Sequence, residues 1–263
     1  MKKIPLILLT SLLVACASVP ITGRKQLNML PESQLMSMSL TQYQSFLSEN
    51  KTVASGAADA TMVKNVGNKI AAAVTEYLKK NGQSKRIKDY KWEFNLVDDP
   101  TVNAWCMSGG KVVFYTGILP ITKDEKGIAV VMGHEIAHAI ARHGNERMSQ
   151  GLAVQAGGIG LGVALSEKPE LTKNILMQSF GIGSQLGMLK FSRLHESEAD
   201  KMGLIFMAMA GYNPNEAVEF WKRMAANGGA SQPEFLSTHP HDDTRIADLK
   251  AYMPEAMKYY KGK

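Results

Sequence analysis

Cysteine is nearly absent: the 263 residues carry two, Cys16 and Cys106. That excludes a small domain stapled by disulfides. Long apolar runs are missing as well. The stretches 4–15 and 151–165 both fall short of the ~20 residues a membrane-spanning helix needs. Charge of one sign is weak, with a net value of +6, and no run of basic residues interleaves with aromatics. Nucleic acid is therefore excluded as a partner. No Gly-Lys-Ser/Thr follows the glycines of 151–165, which excludes a phosphate loop. There is no detectable internal repeat. What remains is 45% hydrophobic and 21% charged residues, the balance of an ordinary globular chain.

The first residues form a leader. Met1-Lys2-Lys3 is a short basic region and Ile4 to Ala15 an apolar one, the pattern of a secretory signal. It ends Leu13-Val14-Ala15-Cys16, a small residue followed by cysteine, which resembles the bacterial lipobox. Cleavage after residue 15 would leave Cys16 to carry lipid, and several acyl chains anchor a protein stably where one does not. The plain alternative is a secretory signal with an incidental cysteine. Ala17 and Ser18 supply no aspartate, which resembles default sorting to the bacterial outer membrane, on its periplasmic face. With Cys16 acylated, Cys106 has no partner, and its apolar neighbours predict a buried thiol.

Residues 16–30 read as a lipidated cysteine with a polar tether, and 31–263 as one domain. Apolar periodicity predicts helices over 31–50 and 57–80. Lys91 to Val97 alternates as a strand. Thr101–Met107 and Lys111–Tyr115 flank Ser108-Gly109-Gly110 as a β-hairpin. Beyond Gly117 the pattern is helical. Thr122-Lys-Asp-Glu125 reads as a capping box opening a helix to about Arg147. Glycine-rich 151–165 reads as a close-packed helix pair, and further helices are expected near 170–189, 193–210, 214–226 and 242–252. The fold class is mainly α with a small antiparallel sheet (α+β).

The chemistry concentrates in His134-Glu135-Ile-Ala-His138. A spacing of four residues puts both imidazoles on one face of a helix, within reach of one Zn²⁺. Glu135 stands beside them, placed to take a proton from a water that the metal activates. With 6 histidines and 24 acids in the chain, this string arises by chance in about 1% of such compositions. A third ligand is still needed. Position 144 is Gly144, so the longer motif with a third histidine fails. His143 lies about 180° round a continuous helix from His134, which reads it as a core or surface residue. Ser192 to Asp200 offers Glu196 and Asp200, one turn apart. Glu196 as ligand and Asp200 as partner of a ligand histidine form a coherent unit; a solvated acidic face is the alternative.

Together these segments resemble the zinc metallopeptidases related to the CAAX prenyl protease, the heat-shock protease HtpX and the mitochondrial protease Oma, and among them the periplasmic lipoprotein branch. The resemblance runs from about residue 24 to 250. Arg24-Lys-Gln-Leu-Asn-Met, Val102-Asn103-Ala104, Gly109-Gly110, Tyr115-Thr116-Gly117, Ser192 to Asp200, and Ser237-Thr238-His239-Pro240 with Arg245 carry it. It implies a zincin-like fold with a glutamate third ligand. His134, His138 and Glu196 would hold one Zn²⁺ per chain, with Glu135 as general base and Asp200 behind a histidine ligand. It also places His239 near the metal, assisting the reaction or blocking the open position. His195 and His241 have no matching role and are expected outside the site. Asn103 and Ala104 lie on a candidate edge strand, which would hold an extended peptide by main-chain hydrogen bonds.

The expectation is a membrane-anchored endopeptidase acting on misfolded or misassembled envelope proteins, with other envelope proteases or assembly factors as partners. Its rivals are an inert binder with a closed structural metal site and an exopeptidase with a pocket for a free terminus.

Overall fold

The computed structural model describes residues 16–156, 169–180, 192–227, 234–239 and 244–262. The leader, most of 151–165 and His241 lie outside the described residues. Two short strands, β1 (Cys16–Ser18) and β2 (Lys25–Leu27), pair antiparallel. Helices α1 (Glu32–Glu49) and α2 (Ala58–Lys80) follow. Next come β3 (Glu93–Val97), β4 (Ala104–Met107) and β5 (Lys111–Tyr115). The rest is helical: α3 (Leu119–Thr122), α4 (Glu125–Ala141), α5 (His143–Ala156), α6 (Pro169–Ser179), α7 (Arg193–Met209), α8 (Glu216–Ala226), α9 (Glu234–Thr238) and α10 (Arg245–Met257). No helix among the described residues is long and apolar enough to cross a membrane.

The sheet has the order β3-β5-β4 and is mixed, not wholly antiparallel. The hairpin forms as expected: Gly109 and Gly110 take positive φ in its turn, a conformation that costs glycine little. β3, however, pairs parallel with β5. Residues 98–103 carry the chain past β5 before β4 begins, so β3 lands on the far edge. Alternation reveals a strand but not its neighbour. One sheet face (Cys106, Val112, Phe114) packs into the large core with α2 and α4, and the other (Trp105, Met107, Val113) into a smaller one under α1. The Cys106 thiol is buried and unpaired, and burial raises its pKa.

α4 is the spine. Nearly all of it is buried, from Gly127 to Ala141. Its N-cap is Asp124, whose carboxylate accepts from the amides of Lys126 and Gly127, not the predicted Thr122, which closes the preceding α3. Nor does it run to Arg147. Arg142 adopts the left-handed conformation (φ 62°) and α5 begins at His143. α7 crosses α4 where two glycines meet: a Cβ on Gly203 would lie 3.0 Å from the His134 nitrogen, and one on Gly133 2.9 Å from the Gly203 carbonyl oxygen. Side chains there would wedge the helices apart. Gly203→Val is expected to lower unfolding stability by about 1–3 kcal/mol, read by denaturant titration. A variant as stable as the parent would show that the crossing has slack.

The stretch read as a polar tether is not free chain. β1 and β2 form a hairpin at the C-terminal end of α4. Arg86 ties it down, with Nε donating to the Ile140 carbonyl at 2.5 Å and Nη1 to that of Ser18 at 3.1 Å. Arg24, in the hairpin, reaches inward to Glu146 and Glu198, each at 2.8 Å. Low hydropathy suggested a solvated segment; Arg24 and Gln26 instead find partners in the body of the protein. Burial alone would raise the Glu146 carboxyl, but hydrogen bonds from His195 and Arg24 outweigh it and hold it far below the usual range. A depressed folded pKa contributes stability above the unfolded value of about 4.3, and that contribution fades as pH falls. Arg24→Gln is therefore expected to lower the melting temperature more at pH 7 than at pH 3. Equal losses at both would count against the ion pair.

Candidate metal centre

His134 and His138 project from one face of α4, with their Nε2 atoms 3.0 Å apart. α7 brings Glu196 to them: Oε1 lies 3.3 Å from His138 Nε2, and Oε2 3.4 Å from His134 Nε2. His239, which follows α9, places Nδ1 3.2 Å from His134 Nε2 and 3.0 Å from Glu196 Oε1. A tetrahedral Zn²⁺ with bonds of ~2.0–2.1 Å has donor–donor edges of about 3.3–3.4 Å. Five of the six residue pairs in the nest fall at 3.0–3.4 Å, taking the nearer Glu196 oxygen in each, and the donors all lie within 4.8 Å of one another. All four residues are buried, and they form the one metal-competent group found among the described residues. Glu135 Oε1, beside the nest, is also buried without a hydrogen-bond partner, a state that calls for a partner such as water or a cation.

The electrostatics agree. Burial disfavours a charged His134 ring, yet Glu196 and Asp200 outweigh it and push its pKa up to about 9. The two carboxylates favour positive charge at His134, whereas burial lowers the pKa of His138 and His239 and keeps those rings neutral. Asp200 Oδ1 lies 3.0 Å from His134 Nδ1, which leaves Nε2 facing the other donors. Arg245 supports both acids, donating to Asp200 at 2.7 Å and lying 3.2 Å from Glu196 Oε2. Its guanidinium sits 3.4 Å from the centre of the Trp221 ring. Glu135 is next to the nest, its Oε1 3.6 Å from His239 Nε2. Burial pushes its carboxyl up to about 8; a divalent cation in the nest would draw that value down.

With His239 present, the nest has four protein donors. Catalytic zinc sites keep one position open and structural ones do not, so this arrangement is closed. A short segment holds it shut. The Phe235 amide donates to the Val102 carbonyl at 3.0 Å, and Asn103 Nδ2 to Glu234 Oε1 at 3.1 Å. The Phe235 ring stacks on His239 with centroids 4.6 Å apart. Asn103 and Ala104 do lie at the sheet edge, since β4 is an outer strand. There the Asn103 carbonyl accepts from Tyr115, and the Ala104 amide donates to the Asn103 side chain at 2.9 Å. The edge holds the chain's own α9 segment.

Residues read as bystanders lie just behind the ligands. His143 Nδ1 is 2.8 Å from His138 Nδ1, and its Nε2 is 2.9 Å from Glu198 Oε2. His195 Nε2 is 3.0 Å from Glu146 Oε2. His143 does not join the nest, as expected. The opposite placement holds only for one continuous helix, and the turn at Arg142 swings His143 back. A non-glycine residue in the left-handed region gives no pattern in the sequence. The only available signal was His143's closeness in sequence to His138.

The sequence profile of Peptidase family M48 matches residues 35–253. The mitochondrial metalloendopeptidase OMA1 of Schizosaccharomyces pombe is 38% identical over 185 residues, which is 70% of this chain and 53% of that protein. The human mitochondrial metalloendopeptidase OMA1 is 29% identical over 246 residues, covering 91% of this chain and 46% of its own length. The beta-barrel assembly-enhancing protease of Yersinia pestis is 28% identical over 194 residues, 72% of this chain and 37% of that one. The chain thus spans about half the length, or less, of these curated relatives. The profile covers both α4 and α7, which carry the paired histidines and the glutamate, and on that match the chain belongs to peptidase family M48.

Proposed function

We propose that the chain is a zinc-dependent endopeptidase of the bacterial envelope, at rest in a latched state. The observation that carries this reading is the buried nest of His134, His138 and Glu196 with Glu135 beside it. Zn²⁺ suits two imidazoles and one carboxylate in tetrahedral array. When bound, the metal polarises the scissile carbonyl and lowers the pKa of an attacking water. The chain's residues do the rest. Glu135 takes the proton of the water and passes it to the leaving amine, so no covalent enzyme intermediate forms. Asp200, itself held by Arg245, keeps the His134 ring in the tautomer that presents Nε2. The edge of β4 at Asn103 and Ala104 holds an extended peptide once α9 withdraws.

An inert binder with a permanent four-donor site is the second reading, favoured by His239. A buried carboxylate at Glu135, with no hydrogen bond to its Oε1, supports the enzyme instead, because a structural site has no use for it. Anchoring by lipid at Cys16, residence on the periplasmic face of the outer membrane and action on misassembled envelope proteins belong to the same proposal. It rests on the leader and on resemblance to relatives that include a protein named for β-barrel assembly.

Purified full-length chain should cut unfolded casein at internal bonds, lose that activity to a chelator and regain it with Zn²⁺. Mass spectrometry separates the outcomes: internal fragments support the endopeptidase, and stepwise trimming makes it an exopeptidase. No cleavage by either the parent or a His239→Ala variant, with metal bound in both, leaves the inert binder.

A further inference from the structure

A buried polar relay runs from the metal nest to the N-terminal hairpin, and the reaction above makes no use of it. It begins at His138, whose Nε2 faces the other donors. A histidine that ligates through Nε2 carries its proton on Nδ1 and needs an acceptor there. For His134 the acceptor is Asp200. For His138 the atom at 2.8 Å is His143 Nδ1. If His138 donates, His143 must carry its own proton on Nε2, and that nitrogen lies 2.9 Å from the Glu198 carboxylate. Each proton along this line then has a donor and an acceptor.

Glu198 is in turn held from one side. The Thr22 hydroxyl donates to Oε1, and Arg24 Nε to Oε2 at 2.8 Å. The two remaining guanidinium nitrogens of Arg24 grip Glu146 at 3.0 and 2.8 Å. Arg24 therefore spans both carboxylates, one per edge of its fork. Planar, multidentate binding of this kind fixes orientation as well as charge. The His195 ring stacks on His143 with centroids 4.4 Å apart and limits its swing. His143 is wholly buried and Glu198 is 4% exposed, so little water is available to replace these partners.

We propose that His143 is a positioning residue of the metal centre. It fixes the tautomer and ring plane of His138 by direct contact, Glu198 sets the tautomer of His143 from the other side, and Arg24 of the N-terminal hairpin holds that relay in place. The proposal rests on His134, His138 and Glu196 being metal ligands. It adds that the segment starting at Cys16 is part of the site's support, coupled to the metal through Arg24, Glu198, His143 and His138.

The test is Zn²⁺ affinity, by competition with a chelating dye, on the full chain and on His143→Ala, Glu198→Gln, Arg24→Gln and Glu146→Gln. Metal-free melting curves for each protein monitor the fold. Partners that orient a ligand histidine typically carry 10–100-fold in metal affinity. His143→Ala and Glu198→Gln should weaken Zn²⁺ binding by about that factor, Arg24→Gln by less, and Glu146→Gln, one step off the line, least. In the Co²⁺ form, Glu198→Gln should shift the visible absorption band, because the His138 ring turns. If His143→Ala does not fold, Glu198→Gln carries the decision. Affinities within twofold of the parent in folded variants overturn the proposal. So do losses that merely follow the drop in melting temperature, or equal losses for Glu146→Gln and Glu198→Gln. A parent that binds no Zn²⁺ refutes the metal reading itself, which is a separate result.

Discussion

Glu135→Gln is expected to lower casein hydrolysis by about 1,000-fold while Zn²⁺ content stays at one per chain. General acid–base groups contribute roughly 10²–10⁴-fold, and no other described carboxylate is placed to substitute. Glu196 faces the metal donors, and Asp200 is taken up by His134 and Arg245. Glutamine keeps the volume of the side chain but cannot accept the proton. Paired turnover and metal analysis decide the matter. Activity within tenfold of the parent would move the base elsewhere.

His239→Ala is expected to raise the rate about tenfold or more. A site whose competent state is only a minor fraction gains by the inverse of that fraction when the competing state is removed. His239 is 1% exposed and within 3.2 Å of two other donors, so its withdrawal is needed before water or substrate can enter. Phe235→Ala should produce a smaller rise, because it loosens the stack on His239 without removing the donor. An inactive His239→Ala with metal retained would instead assign the ring to stabilising the transition state.

The legible parts of the site were those that depend on period alone. Four-residue spacing on a helix was enough for His134 and His138. Glu196 and Asp200 followed from the same geometry on a second helix, once the histidines required a third ligand. Helix bounds at 58–80 and 193–209 fell within a residue of expectation. What escaped depends on long-range partners or on one unusual residue. Strand order is set by a crossover, which alternation does not record. Arg142 in the left-handed region turned one predicted helix into two and gave His143 a different neighbour. Arg24 looked like solvated surface because its carboxylates lie more than a hundred residues away in sequence. The position of His239 came from resemblance; its residue type and the following proline suggest only a turn.

The N-terminal hairpin bears on how far a chain acylated at Cys16 could work from that point of attachment. A flexible leash of fifteen residues would let a body wander about 20 Å from its attachment point. Here the backbone of Cys16 is already paired with Leu27, and Arg86 and Arg24 fasten the hairpin to the body within ten residues of that cysteine. A chain acylated at Cys16 would have almost no slack. It would stand on the bilayer in a fixed attitude, working on chains that come to the surface rather than casting into the space beyond.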